Sequence, residues 1–274
     1  MITFRKLGGR KVGRFGNQLF QYAGSRLYAE LHDFDWAFPP WIGNRIFTIR
    51  HKYLKSRHFF LPTIQLEDMK NTNWRAERLL RPLGLWQRGA MNNLYANPKD
   101  NINLYGYLQD ETSLNKLRKH RDLIRSWFTW KPEIEAAFRT ATHGMSWVGL
   151  HVRRGDYAKP GLIIPMQTYL DTLVHIRGNL PIYLASDDPA ARHELNPNTL
   201  LNIPNPLPDL YAHMPGDLFD FWMLQHAAIV IGGGSTFSWW ASFLSADREY
   251  YAPPLTHLWG KHRIPPPPII RRQP

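Results

Sequence analysis

A doubly wound α/β fold with parallel strands is predicted by two observations, and a third divides it. Short apolar runs alternate with stretches of helical periodicity along the chain. In the second half, three such runs each end directly in a polar cluster, as strands do at the carboxyl edge of an open α/β sheet. Charge is split as well: residues 1–140 hold 24 Lys/Arg and 12 Asp/Glu, whereas residues 141–274 hold 10 of each. A chain of 274 residues has room for one large domain or two packed ones, and the shift places a boundary near residue 145.

The elements follow in order. Residues 2–7 read as a short strand, followed by a glycine-containing loop from Gly8 to Gly16. Leu19, Tyr22, Ala23, Leu27 and Leu31 then fall at helical spacing. Residues 36–65 read as irregular, with Pro39-Pro40 and scattered aromatics suggesting loops and short strands. Ser113 is expected to cap a helix carrying Leu114, Leu117, Ile124 and Trp127. Pro132 suits the first turn of the next helix, which ends at His143-Gly144. Residues 147–151, 181–185, 200–203, 229–231 and 249–252 read as strands. Asp217 caps a helix between the third and fourth of these, and residues 237–244 form another. The run Pro265 to Pro268 opens an extended, polyproline-like tail.

Composition excludes several classes. With no Cys there are no disulfides, thiolate metal sites or cysteine nucleophiles. No apolar run reaches the ~18 residues of a spanning helix, and no signal-peptide core follows the polar start, so a cytoplasmic chain is expected. There is no Gly-x-Ser-x-Gly elbow and no His-Glu-x-x-His. The 11 Trp serve mainly as core, with some excess suited to stacking on sugars or bases. The basic first half is either a solvated face or a surface for an anionic partner, nucleic acid or membrane. Its densest patch is Arg50, Lys52, Lys55 and Arg57.

The polar clusters carry the chemistry. The first strand of the second half ends in His151, then Arg153, Arg154 and Asp156. A second runs into Ser186, Asp187 and Asp188, and a third into Gly232-Gly233-Gly234-Ser235-Thr236 before Phe237. Arg153 or Arg154 can clamp a phosphate bidentately. Adjacent side chains on extended backbone point oppositely, so the other arginine should pair with Asp156 or a neighbouring carboxylate. Asp187 and Asp188 can accept from ribose hydroxyls or a base N–H, cap a helix, or hold a metal. The glycine loop opening a helix can present N–H groups to an anion, or be a plain tight turn. It is not a Walker A loop, since no Lys follows. In the first half, Arg14, Gly16 and Asn17 stand at a helix start, where Asn17 can cap the helix or contact a ligand. Asp33-Phe34-Asp35 spells Asp-x-Asp, which metal-dependent sugar transferases use but which also suits a solvated turn.

Four segments together resemble a known family: residues 13–23 (GRFGNQLFQYA), 151–157 (HVRRGDY), 183–188 (YLASDD) and 235–241 (STFSWWA). In this order they look like the motif blocks of the α-1,2-fucosyltransferases, glycosyltransferase family eleven. Without the anchor of the animal members, the chain resembles the bacterial ones. The resemblance implies a GT-B fold of two Rossmann-like domains with a cleft between them. Residues 1–144 would be the acceptor-side domain, 145–262 the GDP-fucose-binding domain and 263–274 the tail. It implies inverting, metal-free transfer of fucose from GDP-β-L-fucose to the 2-hydroxyl of a galactose-terminated oligosaccharide, in glycan or O-antigen synthesis, with no cofactor. By position, Arg153 resembles the arginine that holds the donor diphosphate, with Arg154 and Asp156 in support. Gly234, Ser235, Thr236 and Phe237 resemble the phosphate loop. Ser186, Asp187 and Asp188 would hold the guanosine part, and Arg14, Gly16 and Asn17 would stand near the diphosphate and fucose. Asp156 and His151 are the nearest candidates for a base. The family often has Asn where Gly234 stands, so here the loop must rely on backbone N–H groups. Three other readings compete: a transferase with another nucleotide-sugar donor, a metal-dependent one using Asp33 and Asp35, and a basic nucleic-acid-binding module. Against the last, no nucleic-acid motif is present and the polar clusters lie in the neutral half. Peripheral contact with the anionic inner face of the membrane is a further expectation from the charge split.

Overall fold

In the computed structural model two parallel sheets organise two units, Met1–Thr129 and Trp130–Pro274. The structure describes residues 1–9, 13–50, 52–69, 74–155, 163–206, 217–246 and 249–251, without the side chains of 74–76. Asp156 and the proline-rich tail lie outside these residues.

The first unit contains β1 (Ile2–Thr3), α1 (Phe15–Leu31), β2 (Trp36–Ala37), α2 (Gly43–Ile46), β3 (Thr63–Leu66), α3 (Trp74–Leu80), β4 (Trp86–Gly89), α4 (Met91–Ala96), β5 (Ile102–Tyr105), α5 (Glu111–Lys119) and α6 (Arg121–Trp127). Its five strands are all parallel, in the order β2-β1-β5-β3-β4. The sequence marks α1 and the helical stretch 113–127, which divides at His120 into α5 and α6, while the strand expected over residues 2–7 is confined to Ile2–Thr3. The rest of this sheet has little sequence signal because its interior is partly polar and carries no apolar run. Thr3 Oγ1 donates to Asn103 Oδ1 (3.1 Å), and Asn103 Nδ2 donates to Thr63 Oγ1 (3.2 Å). Trp86 Nε1 donates to Gln65 Oε1 (3.2 Å). These buried polar groups of the sheet are thereby satisfied, which removes the main cost of burying them. Ser113 is not the expected cap: α5 starts earlier, with Asp110 accepting from the Ser113 N–H (3.0 Å).

The second unit contains α7 (Pro132–Thr142), β6 (Val148–Val152), α8 (Met166–Ile176), β7 (Ile182–Ser186), α9 (Asp217–His226), β8 (Ile229–Ile231), α10 (Thr236–Leu244) and β9 (Glu249–Tyr251). Its strands are parallel in the order β7-β6-β8-β9. Helix α7 ends as expected, with His143 (φ 48°) and Gly144 (φ 70°) in left-handed conformation. The division falls after Thr129, not near residue 145, because α7 packs within the second unit. Phe138 meets Phe219 and Trp222 at 5.0 and 5.3 Å between ring centres, and Trp222 Nε1 donates to Glu135 (2.7 Å). The charge asymmetry survives this shift: residues 1–129 hold 22 Lys/Arg and 10 Asp/Glu, and the remainder 12 of each. The strand expected at residues 200–203 does not form. A single bridge joins Leu200 to Ile182, and Pro204 and Pro206 offer no N–H to extend it.

Candidate functional site

The register of β6 against its neighbours brings the three polar clusters together. Val152 pairs with Ser186, so Arg153 follows beside Asp187; Leu150 pairs with Ile231, so the glycine turn follows beside His151. At Gly233 a Cβ would lie 3.1 Å from the His151 carbonyl oxygen and 3.7 Å from the Arg153 nitrogen.

Asp187 ties the arginine loop down. Its Oδ1 accepts from the N–H groups of Arg154 (2.9 Å) and Gly155 (3.0 Å), and its Oδ2 faces Arg153 Nε at 3.2 Å. Burial alone would raise this carboxyl. The two N–H groups and the Arg153 charge outweigh burial and hold it below the ordinary range. Arg154 turns to Asp188 (3.3 Å) and Glu194, so the two arginines diverge as extended backbone requires. Asp188 also caps the 3-10 turn Pro189–Glu194, accepting from the Ala190 N–H (3.0 Å). Ser186 Oγ accepts from the Asp188 N–H (3.1 Å). Asp187 and Asp188 therefore hold protein groups in this structure, whatever else they can accept.

Ser235 is the N-cap of α10, accepting from the Phe237 N–H (3.2 Å). Thr236 is the helix's first residue. Gly234 before the cap has φ 68°, a left-handed conformation that only Gly and Asn enter readily. Phe237 lies 5.4 Å from the His151 ring. That imidazole is 4% exposed, with no hydrogen-bond partner at Nδ1. Burial, then the Arg153 charge, lowers its pKa to about 4, against a smaller opposite effect of Asp187. His151 is thus neutral at pH 7 and poorly placed to take a proton from a bound molecule.

In the first unit, Asn17 does not cap α1. The cap position is Arg14, with no side-chain cap bond, and Gly16 is buried in the first turn. Instead the Asn17 Oδ1 accepts from Gln109 Nε2 (2.9 Å). Gly13 (φ 116°) leaves the space a Cβ would take from the Asn17 amide. Gln109 follows a strained turn. Leu108 is buried with φ 55°, a conformation costing a non-glycine residue about 1–2 kcal/mol. Asp68 braces it, accepting from the N–H groups of Tyr107 (2.9 Å) and Gln109 (3.0 Å). Asp68 and Gln109 went unnoticed in the sequence. They stand alone in loops 41 residues apart, and only the pairing of β3 with β5 brings them together. Among the described residues the Asp33–Asp35 segment gathers no further ligands: Asp35 pairs with Lys52, and Asp33 sits in a turn at φ 54°. Among the described residues no group of three or more His, Asp or Glu could hold a metal.

Two Rossmann-like units with parallel sheets define a GT-B-type α/β fold, and solved structures match it across both units. NodZ α-1,6-fucosyltransferase soaked with GDP-fucose matches with a TM-score of 0.54 at 16% identity, over 89% of this chain and 92% of that one. The fucosyltransferase NodZ from Bradyrhizobium gives 0.55 at 17%, over 89% and 92%. POFUT1 in complex with GDP-fucose gives 0.53 at 12%, over 99% and 96%. At these identities the likeness is one of fold. Among curated proteins, galactoside alpha-(1,2)-fucosyltransferase 1 of Alouatta caraya is 31% identical over 159 residues, 53% of this chain. The matched part covers 38% of that relative's length. No family model matches the chain.

Proposed function

We propose that this chain transfers L-fucose from GDP-β-L-fucose to the 2-hydroxyl of a terminal β-galactoside, with inversion and without a metal. The observation that carries this reading is Arg153, fixed by Asp187 at the end of β6 beside the glycine turn that opens α10. As the glycosidic bond breaks, negative charge grows on the β-phosphate. A held guanidinium and helix N–H groups stabilise that charge, each such donor contributing about 3 kcal/mol. The POFUT1 complex with GDP-fucose, and the NodZ structure soaked with it, support the donor. The α-1,2 linkage and the galactoside rest on the curated relative and on the four motif blocks. Arg154 holds the loop through Asp188 and Glu194, while His151 fills space behind Phe237 as a neutral ring. Asp156 remains the candidate base.

The test is incubation with GDP-β-L-fucose and a panel of galactosides, followed by NMR assignment of the product linkage. An α-1,2-fucosylated galactoside is expected. A product linked through another hydroxyl, or turnover only with a different nucleotide sugar, would overturn the reading.

A further inference from the structure

Among the described residues no helix is long and apolar enough to cross a membrane. One face of the first unit nevertheless exposes side chains that water does not favour. The 3-10 turn Ser56–Phe60 leads into β3, and residues 81–85 lead into β4. These neighbouring parallel strands start together: Thr63 pairs with Trp86, and the Thr63 N–H donates to the Leu85 carbonyl (2.9 Å). Phe60 is 80% exposed, Leu79 72%, Leu83 69% and Phe59 57%. Arg5 donates to the Phe59 carbonyl and to Thr63 Oγ1, which holds the aromatic turn in place. So many large apolar side chains on two adjoining segments are not the scattered exposure ordinary to a protein surface.

The same segments are basic. Lys55, Arg57, Arg78 and Arg81 are exposed, and neither 52–61 nor 78–85 contains an acidic residue. The nearby Glu77 is buried and paired with Arg88 (3.1 Å). Lys52, part of the patch expected from sequence, is instead engaged by Asp35 and lies 5.6 Å from the Trp36 ring. Lys52 therefore drops out of the patch, and Arg78 and Arg81 join Lys55 and Arg57.

We infer that this face docks on an anionic lipid surface, with Phe60, Leu79 and Leu83 entering the headgroup boundary while the four cations meet lipid charges. Charge complementarity selects the occupant, and the apolar component sharpens it. Leucines add nothing to contact with a nucleic-acid backbone, whereas aromatic and aliphatic tips flanked by Lys and Arg suit a bilayer interface. The inference does not depend on the activity proposed above.

Co-sedimentation of the full chain with phosphatidylcholine vesicles, with and without phosphatidylglycerol, tests it. Binding to anionic vesicles that weakens with salt is expected, with little binding to neutral ones. Lys55→Ser, Arg57→Ser, Arg78→Ser and Arg81→Ser together should weaken it by about several hundredfold, since each of the four cations near such a surface is worth roughly fivefold. Phe60→Ser with Leu83→Ser should weaken it at low salt too, which charge attraction alone would not produce. The thermal midpoint of each variant, with a single unfolding transition, confirms folding. Equal binding to both vesicle types, no binding at all, or concentration-dependent self-association without vesicle binding would overturn the inference. Retention of full binding by both folded variants would do the same.

Discussion

Asp187→Asn isolates what holds the arginine loop. Asn keeps the size and one carbonyl oxygen for the N–H groups of Arg154 and Gly155, but removes the charge. Its NH2 then faces Arg153 Nε–H, donor against donor. Hydrogen bonds to a charged acceptor exceed neutral ones by about 1 kcal/mol each, so two of them lose about 2 kcal/mol. The Arg153–Asp187 pair is 14% and 23% exposed; it is mostly shielded yet not dry, and its loss adds about 1 kcal/mol. The sum is about 3 kcal/mol, read from urea unfolding at pH 7. Since the folded carboxyl is held below its ordinary range, its stabilisation is present above the unfolded pKa and fades as pH falls through the folded one. The wild-type and variant curves should therefore converge in acid. A released guanidinium is also misplaced for catalysis, and turnover should fall by about 30- to 100-fold in protein still folded at the assay temperature. A variant within about 0.5 kcal/mol and twofold of wild type would refute the reasoning.

Four other outcomes are expected. Arg153→Ala should lower turnover by about 100-fold or more, with little rescue by Lys because it lacks the planar fork; initial rates with GDP-fucose read this. Gln109→Leu, which removes the amide that Asn17 Oδ1 accepts from, should lower urea stability by about 1 kcal/mol, and Gln109→Glu, which keeps length but not the donated N–H, should behave alike. Activity should survive excess EDTA, as well as Asp33→Ala with Asp35→Ala; loss on chelation restored by Mn²⁺ would reinstate the metal-dependent reading. Two shielded groups, the His151 ring and the half-buried Asp220 carboxyl on α9, which accepts from the Tyr183 hydroxyl (2.6 Å), should pull stability in opposite directions between pH 4 and 6.5. His151, lowered to about 4, contributes stability above its unfolded value of 6.5 that is lost on acidification. Asp220, which burial raises to about 6, contributes below its unfolded value of 3.8 and loses that as pH rises through 6. Each is worth about 3 kcal/mol, so His151→Phe should tilt urea stability toward acid and Asp220→Asn away from it.

The second unit was legible because its strands are short apolar runs followed at once by charged or glycine clusters. Residues 148–152, 182–186 and 229–231 needed only a shift of a residue or none. The pairing of Arg154 with a carboxylate followed from strand alternation, although the partners proved to be Asp188 and Glu194. In the first unit α1 and the α5–α6 stretch were legible, and most of the sheet was not. Thr63, Gln65 and Asn103 sit inside its sheet, so neither alternation nor an apolar run marks the strands. Arg14 and Asn17 were visible as a helix start, but the Asp68–Gln109 support depends on a crossover that no local pattern encodes. The cap at Asp110 was displaced to Ser113 because both residue types suit that position, and only the observed bond selects between them.

The central claim is that a GDP-sugar diphosphate binds where β6 and α10 present Arg153 and the Ser235 turn. Isothermal titration of GDP-fucose into the wild-type chain, Arg153→Ala, and Asp33→Ala with Asp35→Ala tests it most directly. The account predicts one site per chain, at least tenfold weaker in Arg153→Ala and unchanged in the aspartate variant. Absence of binding to the folded wild type, or equal affinity in Arg153→Ala, would contradict it.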